Sequence, residues 1–159
     1  GAPRPSILDR VGPTSSTIRR SVKSDLPRRA AATRKTLDKY RAMPFDWRAR
    51  ATCIHLARTH LRNMGHKPPA IPDFRSPVSA RTALARTGNS DLVGLLDSLL
   101  PRIGAAEILV GDLVLIPGDD LFDCICVSAG GKLLGWHPDD PSGIKPLHVV
   151  GEILGAWRV

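Results

Sequence analysis

The spacing of apolar residues changes along the chain from a helical period to a strand-like period. In the first two thirds, apolar residues recur every three or four positions, which is the one-sided stripe of an amphipathic helix. The clearest stripe consists of Cys53, Ala57, Leu61 and Met64. We predict that its helix is capped by Asp46 and ends at Met64. The same period predicts three shorter helices, from residue 30 or 33 to 41, from 79 to 86 and from 90 to 100.

The last third of the chain is patterned for strands. A short apolar run follows a Gly-Asp turn in "GDLVLIPG", and a final strand is predicted in "GEILGAWRV". Between them, "FDCICVSAGGKLLGW" has the pattern of two strands joined across Gly130 and Gly131, which favours a hairpin. Helices followed by antiparallel strands are typical of an α+β fold. We therefore predict N-terminal helices packed on a small antiparallel sheet.

Residues 1–32 lack either period and are rich in Pro, Ser, Thr and Arg. Such a segment cannot bury enough apolar surface to offset the entropy lost on ordering. We predict an extended basic arm over residues 1–32 and one folded domain over residues 33–159.

The net charge of +8 is concentrated at the N-terminus. Residues 1–42 contain eleven Lys and Arg against three Asp, whereas the rest of the chain has twelve basic and twelve acidic residues. We predict that the arm binds a partner protein surface rather than nucleic acid, because it has no aromatic residue to stack on bases. Nucleic acid stays the weaker alternative. The residues that we assign to partner binding are Arg19, Arg20, Lys23, Arg28 and Arg29.

Cysteine spacing and hydropathy restrict the class of protein. No stretch approaches the roughly 18 apolar residues of a membrane span, and the N-terminus lacks the pattern of a secretory signal. Cys124 and Cys126 are too close in sequence for an unstrained bond, so we expect no disulfide framework and a reducing compartment. They are also too close for the usual spacing of structural zinc ligands. We expect no metal and no cofactor; a zinc site that adds Cys53 and His137 is the weaker alternative.

Three segments carry a resemblance to a known family by their order along the chain: "LDKYRAMPFDW", "GDLVLI" and "GAWRV". With a cysteine on an early helix behind an aromatic turn, the chain resembles the NlpC-type cell-wall cysteine peptidases, which are papain-like domains. It is more similar still to a phage and prophage tail family related to them. The resemblance covers residues 36–159 and leaves the basic arm outside.

The resemblance implies a catalytic arrangement in which a helix-borne cysteine is activated by a histidine at the start of the next major strand. Cys53 falls on the nucleophile position, and Thr52 stands where the family usually has Asp. The position of the base falls on Cys124, with Asp123 before it, and neither can replace imidazole as a base of matched pKa. A third polar position falls near His137.

The resemblance therefore implies a degenerate, inactive peptidase fold that serves as a structural protein of a phage or prophage tail tip, in the baseplate hub region. Such a protein would be made in the bacterial cytoplasm and located in the virion tail, with its arm on neighbouring tail subunits. The alternative is an active endopeptidase or amidase that cuts peptidoglycan with Cys53 as nucleophile and His137 as base.

The helix of Cys53 also carries two histidines, which are not natural partners of the thiol. At about 100° per residue, His55 points away from Cys53, and His60 lies about 10 Å further along the axis. We expect both histidines at the surface or in an interface. Cys53 itself is then expected to be a small buried core residue.

Overall fold

Four α-helices precede the strands of the sheet in the part of the chain that the structure describes, residues 25–118, 122–149 and 151–159. The structure is a computed structural model. The helices are α1 (Leu26–Tyr40), α2 (Cys53–Asn63), α3 (Pro77–Arg86) and α4 (Leu92–Leu99). The strands are β1 (Arg102–Ile103), β2 (Leu113–Ile116), β3 (Cys124–Ser128), β4 (Leu133–His137), β5 (Asp140–Leu147) and β6 (Gly155–Trp157), with a 3₁₀ turn at Ala105–Glu107.

Helix α1 begins at Leu26, before the predicted boundary between arm and domain at residue 32. A proline in its first turn favours this start, because the missing N–H of proline would be unsatisfied there in any case. Arg28 and Arg29 are consequently part of a folded helix, and Arg29 is only 2% exposed. The other residues assigned to partner binding, Arg19, Arg20 and Lys23, lie outside the described residues.

Helix α2 is shorter than predicted, because Thr52 and not Asp46 caps it. Asp46 and Ala51 instead exchange two main-chain hydrogen bonds of 2.9 and 3.1 Å, which close the intervening residues into a tight loop. The predicted apolar stripe is confirmed, since its four members from Cys53 to Met64 are 4–8% exposed. The predicted helices near 79–86 and 90–100 are present as α3 and α4.

The sheet is antiparallel throughout, with strand order β1-β6-β2-β3-β4-β5. The predicted hairpin across the glycine pair joins β3 to β4, and Gly130 adopts a φ of 92° that favours glycine. A second hairpin joins β4 to β5. The α+β class and the helices-first order are thus confirmed.

The helices cover one face of the sheet and bury its largest apolar side chains. Residues that alternate along β2 and β3, together with the tryptophan of the last strand, contribute side chains that are 0–1% exposed: Leu113, Leu115, Ile125, Val127 and Trp157. The loop before α2 is fixed to the far hairpin, since the Trp136 indole donates to the Met43 carbonyl at 2.9 Å. This anchoring sets where α2 starts.

A buried carboxylate, Asp112, ties the two ends of the domain together. Its Oδ1 accepts from the Arg29 guanidinium at 2.5 Å and from the Val159 amide at 3.2 Å. Its Oδ2 accepts from the Leu109 amide at 2.9 Å and from Arg158 Nε at 3.0 Å. Arg29 also donates to the main-chain oxygen of Val159 at 2.5 Å, so its guanidinium is used inside the fold and not offered to a partner.

We expect Arg29→Met to lower the free energy of unfolding by about 3–5 kcal/mol, because it removes one partner of a buried ion pair and leaves charge on Asp112 incompletely compensated. Urea unfolding measures this change. The matched control is Arg34→Met on the exposed side of α1, which should leave the midpoint nearly unchanged. Equal midpoints for the two variants would contradict an internal role for Arg29.

Candidate functional site

Cys53 is the first residue of α2, beside the start of β3. Its Sγ lies 3.7 Å from the main-chain oxygen of Asp123, and the residue is 8% exposed. A carbonyl oxygen only accepts hydrogen bonds, so this contact is made by the protonated thiol. Thr52 caps the helix with its side chain, which accepts from the His55 amide at 3.4 Å. The thiol thus has the placement of a helix-borne nucleophile and the burial of a core residue.

The side chains of β3 alternate between two faces of the sheet. Ile125 and Val127 face the helices and belong to the core. Cys124 and Cys126 share the other face, where their sulfur atoms are 3.8 Å apart, well beyond the roughly 2.05 Å of a disulfide bond. Asp123 lies directly before β3, and its main-chain oxygen is the atom that contacts Cys53. The assignment of the base position to Cys124 stays a prediction of the resemblance.

An aromatic cluster surrounds the start of α2. Trp47, in the tight loop before the helix, lies 5.6 Å from Phe45, 5.7 Å from Phe122 and 6.0 Å from Phe74, measured between ring centroids. Phe45 in turn meets Trp136 of β4 edge to face at 5.5 Å. These contacts combine burial with favourable ring geometry. The aromatic turn that contributes to the resemblance is therefore a packing element at Cys53.

His137 ends β4 and is bound within its own turn. Its Nδ1 accepts from the Asp139 amide at 3.0 Å and lies 3.9 Å from the carboxylate of the same residue. The side chain is 47% exposed. Among the described residues, no hydrogen bond joins His137 to Cys53. The pairing of these two residues stays a prediction of the resemblance.

His60 is fully buried, so the prediction of a surface position is wrong. Its Nε2 donates to the Gly111 carbonyl at 2.8 Å, and its Nδ1 lies 2.8 Å from the hydroxyl of Thr36. Burial lowers its pKa to about 4, although the hydrogen bond to Gly111 acts in the opposite direction. The neutral imidazole joins α1, α2 and the turn before β2, which is a structural role.

His55 is also buried, at 5% exposure, because it packs against Phe74 with 5.3 Å between ring centroids. Its Nδ1 lies 2.8 Å from the hydroxyl of Thr52. Burial lowers its pKa to about 4, and the positive charges of Arg50, Lys39 and Arg58 lower it further. The prediction of a surface position fails here too, because the loop after α2 covers the helix.

His55 forms part of the wall of a basic pocket that sequence reasoning missed. The pocket has a volume of about 230 Å³ and lies between the end of α1, the loop before α2 and the outer side of α2. Its lining includes four cations and no carboxylate: Lys39, Arg50, Arg58 and Arg62. Arg58 and Arg62 are four residues apart on α2, and this spacing was the signal in the sequence that could have indicated the pocket. Lys39 and Arg50 come from other elements, so no local spacing connects them with it.

An apolar cavity of about 110 Å³ lies on the other side of α2, between α2, α3, α4 and the proline-rich loop 68–72. Side chains such as Leu61, Leu84 and Leu96 line it. No group of three or more His, Cys, Asp or Glu side chains that could hold a metal ion occurs among the described residues. Within the same residues, no helix is long and apolar enough to cross a membrane.

These features define an α+β domain in which a buried thiol begins a helix beside the start of a central strand of an antiparallel sheet. The chain belongs to the family described as Domain of unknown function (DUF6950), whose profile matches residues 24–159. The matched range begins just before α1. Neither the search of curated proteins nor the search of solved structures finds a match to the chain.

We expect stability to fall as the pH is lowered from 6.5 to about 4. His60 must stay neutral in the fold, whereas it protonates near pH 6.5 when unfolded, so its contribution is present above that pH and lost below it. His60 accounts for about 3 kcal/mol of the loss over this window, and His55, whose pKa is also lowered to about 4, adds to it. Urea unfolding at several pH values measures it. His60→Gln should reduce the pH dependence, whereas His148→Gln, at an exposed position, should retain it; equal slopes would contradict this role.

Proposed function

We propose that this protein is a structural subunit of a phage or prophage tail tip, built on an NlpC-type, papain-like fold whose peptidase site lacks its base. The observation that carries the proposal is the position of Cys53. It begins a helix, and its Sγ lies 3.7 Å from the main chain at the start of β3, where the resemblance expects a histidine. Asp123 and Cys124 stand there instead.

The chemistry of the site supports loss of activity. A cysteine peptidase needs a thiolate, which an adjacent imidazole stabilises and a carbonyl contact does not. The contact between Cys53 and Asp123 is made by the main-chain oxygen of Asp123, which accepts a hydrogen bond from the thiol. The only histidine that the resemblance places near the third position, His137, has its Nδ1 engaged by its own turn. Cys53 belongs to the buried core, a position that a small apolar side chain fills without any catalytic role.

Attachment to neighbouring tail subunits is assigned to the N-terminal arm. Of the five basic residues first considered, Arg29 is committed to the buried ion pair and Arg28 pairs with Asp25 at 2.5 Å. The docking charges of the proposal are therefore Arg19, Arg20 and Lys23. An arm that orders only on its partner exchanges conformational entropy for interface contacts, as other coupled folding and binding segments do.

If the site is a peptidase site without its base, restoring imidazole at the start of β3 should activate the thiol. We expect Cys124→His or Asp123→His to raise the rate of Cys53 alkylation by iodoacetamide at pH 7 about tenfold, because a larger fraction of the thiol is ionised beside a histidine. Peptide mass spectrometry resolves Cys53 from the other cysteines. The matched control is Lys132→His, at an exposed position between β3 and β4. Equal rates for the control and both other variants would count against a papain-like arrangement.

The tail role is tested in particles of the phage or prophage that encodes the protein. We expect deletion of residues 1–24, which leaves α1 intact, and substitution of Arg19, Arg20 and Lys23 by Gln to abolish incorporation. Cys53→Ala should be incorporated normally and should leave peptidoglycan digestion by the purified protein unchanged. The active endopeptidase or amidase predicts instead that Cys53→Ala and His137→Ala both abolish digestion. Normal incorporation without the arm would contradict the assembly role.

A further inference from the structure

We propose that the basic pocket beside α2 binds a phosphate group, borne by a small ligand or present as the free ion. The pocket is defined by Lys39, Arg50, Arg58, Arg62 and the buried His55. It is separate from the Cys53 site and independent of the proposed tail function. Three lines of observation carry this assignment: the direction of the His55 proton, the absence of carboxylates from the described lining of the pocket, and the backbone of Arg50.

The hydrogen bonds of Thr52 decide which nitrogen of His55 carries the proton. Thr52 is fully buried, and its hydroxyl accepts from the His55 amide, so its own proton must go to another acceptor. The one available is Nδ1 of His55 at 2.8 Å. The imidazole is therefore protonated on Nε2. Nε2 makes no hydrogen bond to the other described residues, so its N–H is left for a ligand of the pocket that His55 lines.

The four cations of the pocket form no ion pair among the described residues, although six pairs between other Lys or Arg residues and Asp do form among them. Arg58 is held by a 2.9 Å hydrogen bond from its Nε to the Pro69 carbonyl, which leaves its terminal nitrogens available. Lys39 Nζ lies 3.5 Å from the hydroxyl of Thr59, another residue of the lining. Like charges held together repel unless an anion compensates them, so this cluster has the composition of an anion site.

Arg50 has the only positive φ, 56°, of the non-glycine residues that the structure describes. A side chain other than glycine is strained in this left-handed region, and such strain concentrates at ligand sites. The loop closed by Asp46 and Ala51 holds this conformation and brings Arg50 to the pocket. Glycine would fit the backbone better. An arginine therefore stands at a position whose backbone conformation favours glycine.

The donor set favours phosphate over a carboxylate. A phosphate monoester carries nearly two negative charges and three acceptor oxygens, which match several guanidinium and ammonium donors together with one N–H. The volume of about 230 Å³ is below the roughly 300–1,000 Å³ of pockets that enclose a drug-sized ligand. The pocket is therefore sized for a charged group and not for a whole ligand, and it is concave, unlike the extended basic groove of a single-strand binder.

The assignment is tested by calorimetric titration of the full chain with inorganic phosphate and with pyrophosphate at constant ionic strength. We expect Arg50→Gly and Arg62→Ala each to weaken binding about tenfold, which corresponds to the loss of one charge-assisted hydrogen bond. Arg50→Gly should also raise or maintain the melting temperature, because glycine relieves the strained φ. Weaker binding then cannot be attributed to unfolding. Nitrogen-15 NMR should show the His55 Nε2 resonance shifting on addition of phosphate.

The matched control is Arg81→Ala, an exposed arginine on α3 outside the pocket, which removes one charge without touching the site. Equal weakening by this control would show that net charge alone attracts the anion and would overturn the proposal. Absence of phosphate binding at millimolar concentration would also overturn it, as would equally tight binding of acetate. Oligonucleotide binding that depends on Arg50 while phosphate does not bind would replace it with a nucleic-acid site.

Discussion

The buried carboxylate of Asp112 is the interaction on which the arrangement of the domain depends. A charge in the interior is tolerated only when cations and donors compensate it, and Asp112 receives two guanidinium groups and two main-chain amides. Its partners come from α1, from the turn before β2 and from the end of the chain. The first helix and the last strand are therefore placed relative to the middle of the sheet by one side chain. The segments "GDLVLI" and "GAWRV" are thereby joined, because Arg158 and the Val159 amide donate to Asp112.

A second polar connection, through His60, places the helix that carries Cys53. Its imidazole joins the hydroxyl of Thr36 on α1 to the carbonyl of Gly111 before β2. Helix α2 is thereby held with its first turn against the start of β3, and the thiol meets the main chain of Asp123 as a consequence. Packing alone is therefore enough to place the thiol at the start of the helix beside β3. The proposed tail role relies on this reasoning, whereas the basic pocket lies on the outer side of the same helix.

Several elements were predictable from local spacing, and the failures share one physical cause. The stripe from Cys53 to Met64 and the hairpin at Gly130 depend on residues near one another in sequence, and both are confirmed. Three other predictions are not confirmed: the cap at Asp46, the surface positions of His55 and His60, and the boundary at residue 32. In each case a polar residue forms a hydrogen bond or an ion pair that the spacing of apolar residues does not predict. Asp46 pairs with Ala51 in a loop, and His60 is satisfied by a carbonyl 51 residues away in the chain.

The sequence by itself determined the α+β order, the amphipathic helix of Cys53 and the absence of histidine at the start of β3, because these follow from local periods and residue identity. Only the tertiary structure decided which charged side chains are buried in ion pairs and which line a pocket. Arg29 and Arg50 are both arginines in basic segments, yet Arg29 is buried against a carboxylate 83 residues away and Arg50 lines a pocket that has none. The free energy of a charge depends on burial and on its nearest partners, and both are set by long-range contacts that no local pattern encodes.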